Sequence, residues 1–558
     1  MGQNTFVQDR PVRNAGDVPI TPAGGISATT VQAAIEELDT EKMAKASNLS
    51  DVANAATAFG NIKQSATDAV TGVMLKSTNA KTITGTDTDS AVTPATLSAK
   101  LPNGAVSGDI LVWNGTTYSA VNLYSLVSGL TWNESTDIYT RTGALAGFPL
   151  GVTPGDYWLP IHKLMKRCVV SDAGVIQYYL SPTDSTKKAD GSAAVLDGTN
   201  GQVMVYVPAF YYRYAYLNNL HSWEISPVPL DGFSLHPAFQ NDGVTKSYRL
   251  YGAYEGYKDG SNKLCSISGV LPTVSVTRAN FRTYAAARGD GWRQEEAYLD
   301  AAVHLLYAIE YADFDTQAFI GQGISQYSVW PGGPQALTGN SNAVGNATNK
   351  SDAAVPTWAA TTAKTLGQMV TPTVANNYTY QCTTQGTTDG SQPTWPTTIG
   401  ATVTDGTVVW TCVRIGLYMS YRGIENWYGH VWKFVDGINI HNSTANRSRL
   451  YLCNNRASFA DDTDSGYTLI GLLAETDGYF KTLIQTGVGF YPAGVGGGSA
   501  TYLADYYYTY FNDNPDIGWR VALRGGHALN GAYAGAFYFT SSDSAASAVS
   551  NFGGRLCL

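Results

Sequence analysis

The chain holds the residue types of several enzyme chemistries, but not at the spacings those chemistries need. Seven histidines, His162, His221, His236, His304, His430, His441 and His527, are scattered along it. No two stand at the spacing of a metal-ligand pair, and the HExxH helix, the GxSxG elbow and the Walker loop are absent. His304 falls in a run of helical spacing, which predicts a packed or capping residue. The adjacent carboxylates Glu295-Glu296 and Asp461-Asp462 are read as solvated charges, because acid–base work needs two acids held at a set separation. The six cysteines, Cys168, Cys265, Cys382, Cys412, Cys453 and Cys557, show no CxxC zinc spacing and are too sparse for a disulfide framework. Buried free thiols are expected, and an approach of Cys382 to Cys412 across one small β domain is left open. Neither a cofactor nor a metal site is expected, and no dense carboxylate motif supports a bound calcium.

Aromatic and hydroxyl side chains offer a different chemistry, that of recognition. The 36 tyrosines each present a large apolar face with a polar tip at little entropic cost. In the C-terminal excursion the candidate contact residues are His527, Asn530, Tyr533, Phe537, Tyr538, Ser541, Asp543 and Ser544. The run "TYLADYYYTYFNDNPD" before it adds Tyr502, Tyr506, Tyr507, Tyr508, Tyr510, Asn512 and Asp513. Strand alternation puts Tyr506, Tyr508 and Tyr510 on one face and Tyr507 on the other, so one set is expected to be buried. A Thr-rich stretch contributes Trp358, Trp395 and Trp410. Trp410, inside "VVWTC", reads as core. For Trp358 and Trp395 two readings stay open: faces that stack on sugar rings, or the core of a roughly 60-residue domain with little else to bury.

The elements that must position these residues fall into blocks. Residues 1–28 are rich in Pro, Gly and polar residues and read as an extended segment that needs a partner to be ordered. Residues 29–104 read as a short-helical, self-associating stalk. Thr29 and Gln32 fit a capping box, and Val31, Ile35 and Leu38 fall on one face. A second stripe places Leu49, Val52, Ala56 and Phe59. Such short helices are marginal alone and gain stability by packing against copies of themselves. Residues 105–150 read as a small β neck, with a hairpin at Asn114-Gly115. From about Tyr157 aromatics become dense. "GQVMVYVPAFYYRYAY" predicts a strand interrupted at Pro208, and "YLDAAVHLLYAIEYA" a helix with Leu299, Val303, Leu306 and Ile309 on one face. A head over 151–352 and 415–558 is interrupted by a small all-β module at 353–414, where Asp405-Gly406 marks a turn. The whole is expected to be multidomain, α+β and β-rich.

At 558 residues several cores are needed. Only 14% of residues are charged, the net charge is −9 and the pI about 5.3. Lys and Arg form no stripe, so nucleic acid and anionic membrane are poor partners. No apolar run approaches the roughly 20 residues of a membrane span. The polar start predicts no secretory signal, and Phe6 breaks the myristoylation pattern.

The segments "TTVQAAIEELDTEK", "NLSDVANAATAFGNI" and "DTDSAVTPATLSAKL" resemble pieces that recur in phage tail fibres and tail-tip proteins, over roughly residues 25–101. The end of the chain resembles the C-type-lectin-like fold shared by formylglycine-generating enzymes and the variable tropism proteins of phages. An "RGG" strand, a loop and an "N-x-G-F-R" closing strand are matched by Arg524, Gly525, Gly526, Asn551, Gly553 and Arg555. Gly554 stands where that family has Phe, and Ala528 follows "GGH" where an aromatic is common. The Gly pair predicts positive φ or close approach, and Arg524 and Arg555 read as buried-edge cations tying loops together. The oxidising enzymes need cysteines in the loop after "RGG", and none lies between His527 and Asn551, so that oxidising activity is not expected; with the catalytic motifs also absent, the chain is read as no enzyme.

The resemblance implies a homotrimer on the distal tail of a virion, made in the host cytoplasm. Its N-terminus would be held by tail or baseplate proteins, and its lectin-like heads would bind a host cell-surface receptor, protein or glycan. The alternatives are a tail-tip polysaccharide depolymerase, which usually shows β-helical repeats not seen here, and a purely structural tail or baseplate subunit.

Overall fold

A computed structural model describes residues 118–558, apart from 326–331, 335, 351–355, 367, 375, 377, 399, 414–417, 444–447 and 510–516, together with residues 29–33, 75, 76, 90, 91 and 109–113. The chain is mostly sheet and divides into two compact units, Met1–Val121 and Asn122–Leu558.

In the first unit, residues 31–33 form a helical turn. Its cap is Thr30, one residue beyond the expected Thr29: the Thr30 hydroxyl accepts from the Ala33 N–H at 3.3 Å. The expected stripes from Ile35 to Phe59 lie outside the described residues. Asp109–Trp113 and Tyr118–Asn122 form a two-stranded sheet, and the expected turn at Asn114-Gly115 lies outside the described residues.

Ser128–Asn133 and Ile138–Gly143 join the second unit, where Ser128–Asn133 pairs with Leu220–Ser226 and places Leu130 opposite Trp223. The alternation that marked these residues as strands could not say which sheet they enter. Their five-stranded sheet runs Ser234–Leu235, Tyr211–Leu217, Leu220–Ser226, Ser128–Asn133, Ile138–Gly143. A six-stranded sheet runs Arg293–Gln294, Arg555–Cys557, Tyr248–Glu255, Gln202–Pro208, Lys166–Val170, Ile176–Tyr179. Pro208 ends its strand and the chain resumes at Tyr211, as Pro, with no N–H to donate, requires. A nine-stranded sheet is centred on Trp432–Asn442 and Gly518–Arg524.

The helix Ala297–Tyr311 is buried on every side, with only Tyr298 outside the buried set. An all-round apolar helix belongs in a core, and this one packs on strands of the five- and nine-stranded sheets. His304 is packed, with Nδ1 2.8 Å from the Asp300 carbonyl and Nε2 2.6 Å from that of Ala536.

The adjacent acids correct the sequence reading. Glu295 and Glu296 are buried. Arg249 (2.6 Å) and Arg293 (2.9 Å) outweigh the burial of Glu296 and hold its carboxyl below the usual range. Burial, then Asp300, pushes Glu295 up to about 7. Asp462 is exposed, but Asp461 bonds Arg278 at 2.5 Å and Arg282 at 2.8 Å. Strand pairing set these environments, and the dipeptides carry no trace of it.

The inserted segment has its own four-stranded sheet, Met369–Val370, Thr379–Thr384, Val408–Val413, Thr402–Asp405, and its own core around Tyr380 and Trp410. Its ends meet, because Asn349–Lys350 pairs with Met419–Tyr421. All six cysteines are free and buried. Cys382 lies opposite Trp410 and Cys412 opposite Tyr380, so the two thiols stand two rungs apart.

Candidate functional site: an exposed tyrosine cluster

The C-terminal excursion starts where Gly518–Arg524 ends. Gly525 (φ +86°) and Gly526 (φ +70°) turn the chain where a side chain would strike Tyr428 or Ala534. The Arg524 guanidinium donates to the carbonyls of Phe490 and Phe537, each at 3.2 Å. Arg555 donates to those of Gly252 (2.9 Å), Glu425 and Asn426 (both 2.8 Å). Both arginines are therefore the buried ties that the sequence suggested. Gly554 also has a physical reason. Phe281, from the helix Arg278–Ala286, lies 3.0 Å from where its Cβ would stand, so a larger side chain here would press on that ring.

Between the two arginines the excursion dives into the nine-stranded sheet. Phe539–Thr540 pairs with Gly518–Arg524 on one side and Tyr506–Tyr508 on the other. That central position buries four of the expected contact residues. Phe537 packs among Phe314 (5.1 Å) and Phe490 (5.0 Å). Tyr538 is 2% exposed beside Trp432, and burial raises its hydroxyl far above the ordinary value. The Ser541 hydroxyl meets that of Tyr507 at 2.7 Å. His527 stands 4.3 Å from Trp432, and burial lowers its ring to about 4, so it is neutral at pH 7. Asp543 is partly buried and burial raises its carboxyl, while Ser544 is exposed. Asn530 is partly exposed, but its side-chain oxygen accepts from the His527 N–H at 2.6 Å, which closes the turn.

Tyr533 remains, 45% exposed. Its ring lies 4.3 Å from that of Tyr506 and 5.5 Å from that of Tyr479, and Tyr479 and Tyr506 are 5.3 Å apart. Tyr507 is buried between the half-buried Tyr506 and Tyr508, as alternation requires. Tyr510, Asn512 and Asp513 lie outside the described residues. Tyr502 is partly buried elsewhere, its ring against Trp132 and 5.6 Å from the Lys481 ammonium and its N–H held by Asp137 at 2.7 Å. Tyr479 was missed: it lies in Gly478–Leu483, beyond both runs in sequence. Its one signal is the alternation Tyr479-Phe480, with Phe480 buried.

The cluster is firmly held. Gly531, which opens the single turn Gly531–Tyr533, donates to the Ser325 carbonyl at 2.7 Å and accepts from the Gln317 amide at 2.8 Å. Asp505 fills the space over Gly535 and accepts from the Phe537 N–H at 2.6 Å. Rigid aromatic contact area costs little order on binding.

In the insert, the indole N–H groups of Trp358 (2.7 Å) and Trp410 (2.8 Å) share one Asp405 oxygen. Trp395 stacks 4.1 Å from Tyr380. Trp358 and Trp395 are thus partly buried members of the core, which favours the packing reading for both.

Acids and cations also converge in the interior. Glu255 faces His430 Nδ1 at 2.6 Å and Lys433 at 3.2 Å, all buried. The Ala336 N–H donates to His430 Nε2 at 3.2 Å, so the ring proton on Nδ1 points at Glu255. Burial alone would raise Glu255, but His430, Lys433 and Arg555 beside it hold it at about 2. The network ties strands together and has no open face for a substrate.

No protein-family model matches the chain, and no curated protein matches it. Fold and site together define a β-rich protein of two units whose larger unit carries a rigid tyrosine cluster at its surface. Among the described residues no helix is long and apolar enough to cross a membrane.

Proposed function

We propose that the chain is the receptor-binding protein of a phage tail, attaching a virion to a host cell-surface molecule. The observation that carries this reading is the Tyr479–Tyr506–Tyr533 cluster, a surface aromatic patch with Tyr533 exposed and its two neighbours half-buried, fixed by backbone hydrogen bonds at the corner where the "RGG" strand turns. Binding hot spots are enriched in Tyr and sit on well-supported ground. The "RGG" corner and the closing strand with Arg555 support a lectin-like head. The N-terminal third supplies the stalk that registers three copies and the end that joins the tail. Three copies convert weak single-site affinity into firm attachment through effective concentration.

The test is a blocking assay. Purified full-length protein is added to host cells and phage adsorption is counted. Wild type is expected to block adsorption and Tyr533→Ala to block poorly. Failure of the folded wild-type protein to bind cells overturns the reading. Release of sugar fragments from the envelope would mark a depolymerase instead.

A further inference from the structure

The chain enters the second unit beside an exposed apolar loop. Leu123–Leu126 leads into it, and the Val127 carbonyl then accepts from the Ala144 N–H at 2.7 Å. From there residues 145–164 bury Leu145, Leu159 and Ile161 and leave Leu150, Val152, Tyr157, Trp158 and Leu164 exposed. No other stretch of that length among the described residues exposes so many large apolar side chains. Tyr157 is 86% exposed, and the Trp158 ring stands 5.1 Å from it and 5.3 Å from that of Phe148. Exposed apolar groups of this kind mark contacts with another protein.

The loop is held in this form by the interior. The buried Arg141 donates to the carbonyls of Pro149 at 3.0 Å and Val152 at 2.8 Å. The Gly151 N–H donates to the Tyr311 carbonyl at 2.7 Å, and the Thr153 hydroxyl to the Glu310 carboxylate at 2.7 Å. Asp156 pairs with Arg422 at 2.9 Å. A backbone fixed at so many points presents its aromatic side chains already placed, so little order is lost when a partner covers them.

Two observations say what covers the loop. The first is its place. Copies joined through their N-terminal thirds arrive at Leu123 together, so the surface each turns to its neighbours is the one around that entry point, and the loop lies there. The second is charge. The chain carries −9 overall, so identical chains repel over most of their surface. On this loop the charged side chains are Asp156, already neutralised by Arg422, and Lys163. We propose that residues 145–164 form the contact between copies of this chain in the second unit, with Tyr157 and Trp158 of one copy packed against the same loop of the next. The inference rests on the assembly of copies in the reading above, and not on what the Tyr533 cluster binds.

The test uses the full-length protein, its mass measured by light scattering, and a short bifunctional maleimide. All six native cysteines are buried, so an introduced surface thiol is the one that reacts. Tyr157→Cys should be bridged between chains, seen as covalent multimers on a denaturing gel. Val374→Cys, 80% exposed in the insert, should be modified and not bridged. Adding Trp158→Glu to Tyr157→Cys should cut the bridged fraction about tenfold, with the near-ultraviolet circular dichroism of the wild type retained. The proposal is overturned if an assembled protein with Tyr157→Cys takes up a single-ended maleimide and is not bridged, if Val374→Cys bridges as readily, or if Trp158→Glu leaves bridging unchanged. It is overturned in favour of a receptor contact if Trp158→Glu weakens blocking of phage adsorption while bridging persists. A wild type that is a single chain overturns both this inference and the three-copy assembly, whereas receptor attachment is judged separately by the blocking assay.

Discussion

Tyr533 and Tyr538 lie five residues apart in one loop, and their alanine variants should behave in opposite ways. Tyr533 is 45% exposed and makes its ring contacts at the surface with Tyr479 and Tyr506. Its removal leaves no internal cavity and should change stability by no more than about 0.5 kcal/mol. Tyr538 is 2% exposed beside Trp432. Truncating a buried ring removes its transfer energy and leaves a cavity, a loss of about 3–5 kcal/mol. Urea unfolding followed by near-ultraviolet circular dichroism reads the stability, and cell binding below the transition reads the function. Tyr533→Ala should unfold with the wild type yet bind cells at least about tenfold less tightly, one hot-spot contact being worth about 1.4 kcal/mol or more. Tyr538→Ala should unfold at clearly lower urea. If Tyr538→Ala proves as stable as wild type, or Tyr533→Ala loses several kcal/mol, the packing described for this loop is wrong.

Acid should destabilise the second unit through its enclosed histidines. Burial lowers His162 to about 4 and His236 to about 3, whereas an unfolded histidine gains its proton near pH 6.5. Their stabilising contribution is complete above about pH 6.5 and is lost as pH falls towards 4 and 3, by roughly 3–5 kcal/mol each. A urea midpoint unchanged between pH 7.5 and 4.5 would contradict this, and His162→Gln, which keeps a donor for the Leu306 carbonyl, should flatten the slope. Gly554→Phe should destabilise by about 1–3 kcal/mol or more through overpacking on Phe281, and adding Phe281→Ala should recover part of the loss; additive effects in the double-mutant cycle would show that the two sites do not share that space. Replacing residues 353–414 by a short Gly-Ser link should leave the head folded, because Lys350 and Met419 are already paired; loss of the head's near-ultraviolet signal would show that the insert is integral. Asp405→Ala should unfold the insert first, by freeing two indole N–H groups at about 1–3 kcal/mol each, seen as an early tryptophan fluorescence change.

What the sequence determined by itself is local. Pro208 lacks an N–H and interrupts the strand pattern of its run. Gly525-Gly526 could turn where other residues would clash, and the apolar period from Leu299 to Ile309 required a helix. Arg524 and Arg555, charged residues flanking a run of small and polar ones, called for carbonyl or carboxylate partners, although their identity was hidden. The tertiary structure alone decided which tyrosine faces solvent. Tyr533, Phe537 and Tyr538 share one composition of neighbours, and only the pairing of Phe539–Thr540 between two distant strands sends the last two inward. The same holds for Tyr479, brought to Tyr506 by a strand contact, and for Glu295-Glu296, whose burial follows from the pairing of Arg293–Gln294 with Arg555–Cys557. Strand order joins residues hundreds of positions apart, and burial is a property of that order, which no window of sequence contains.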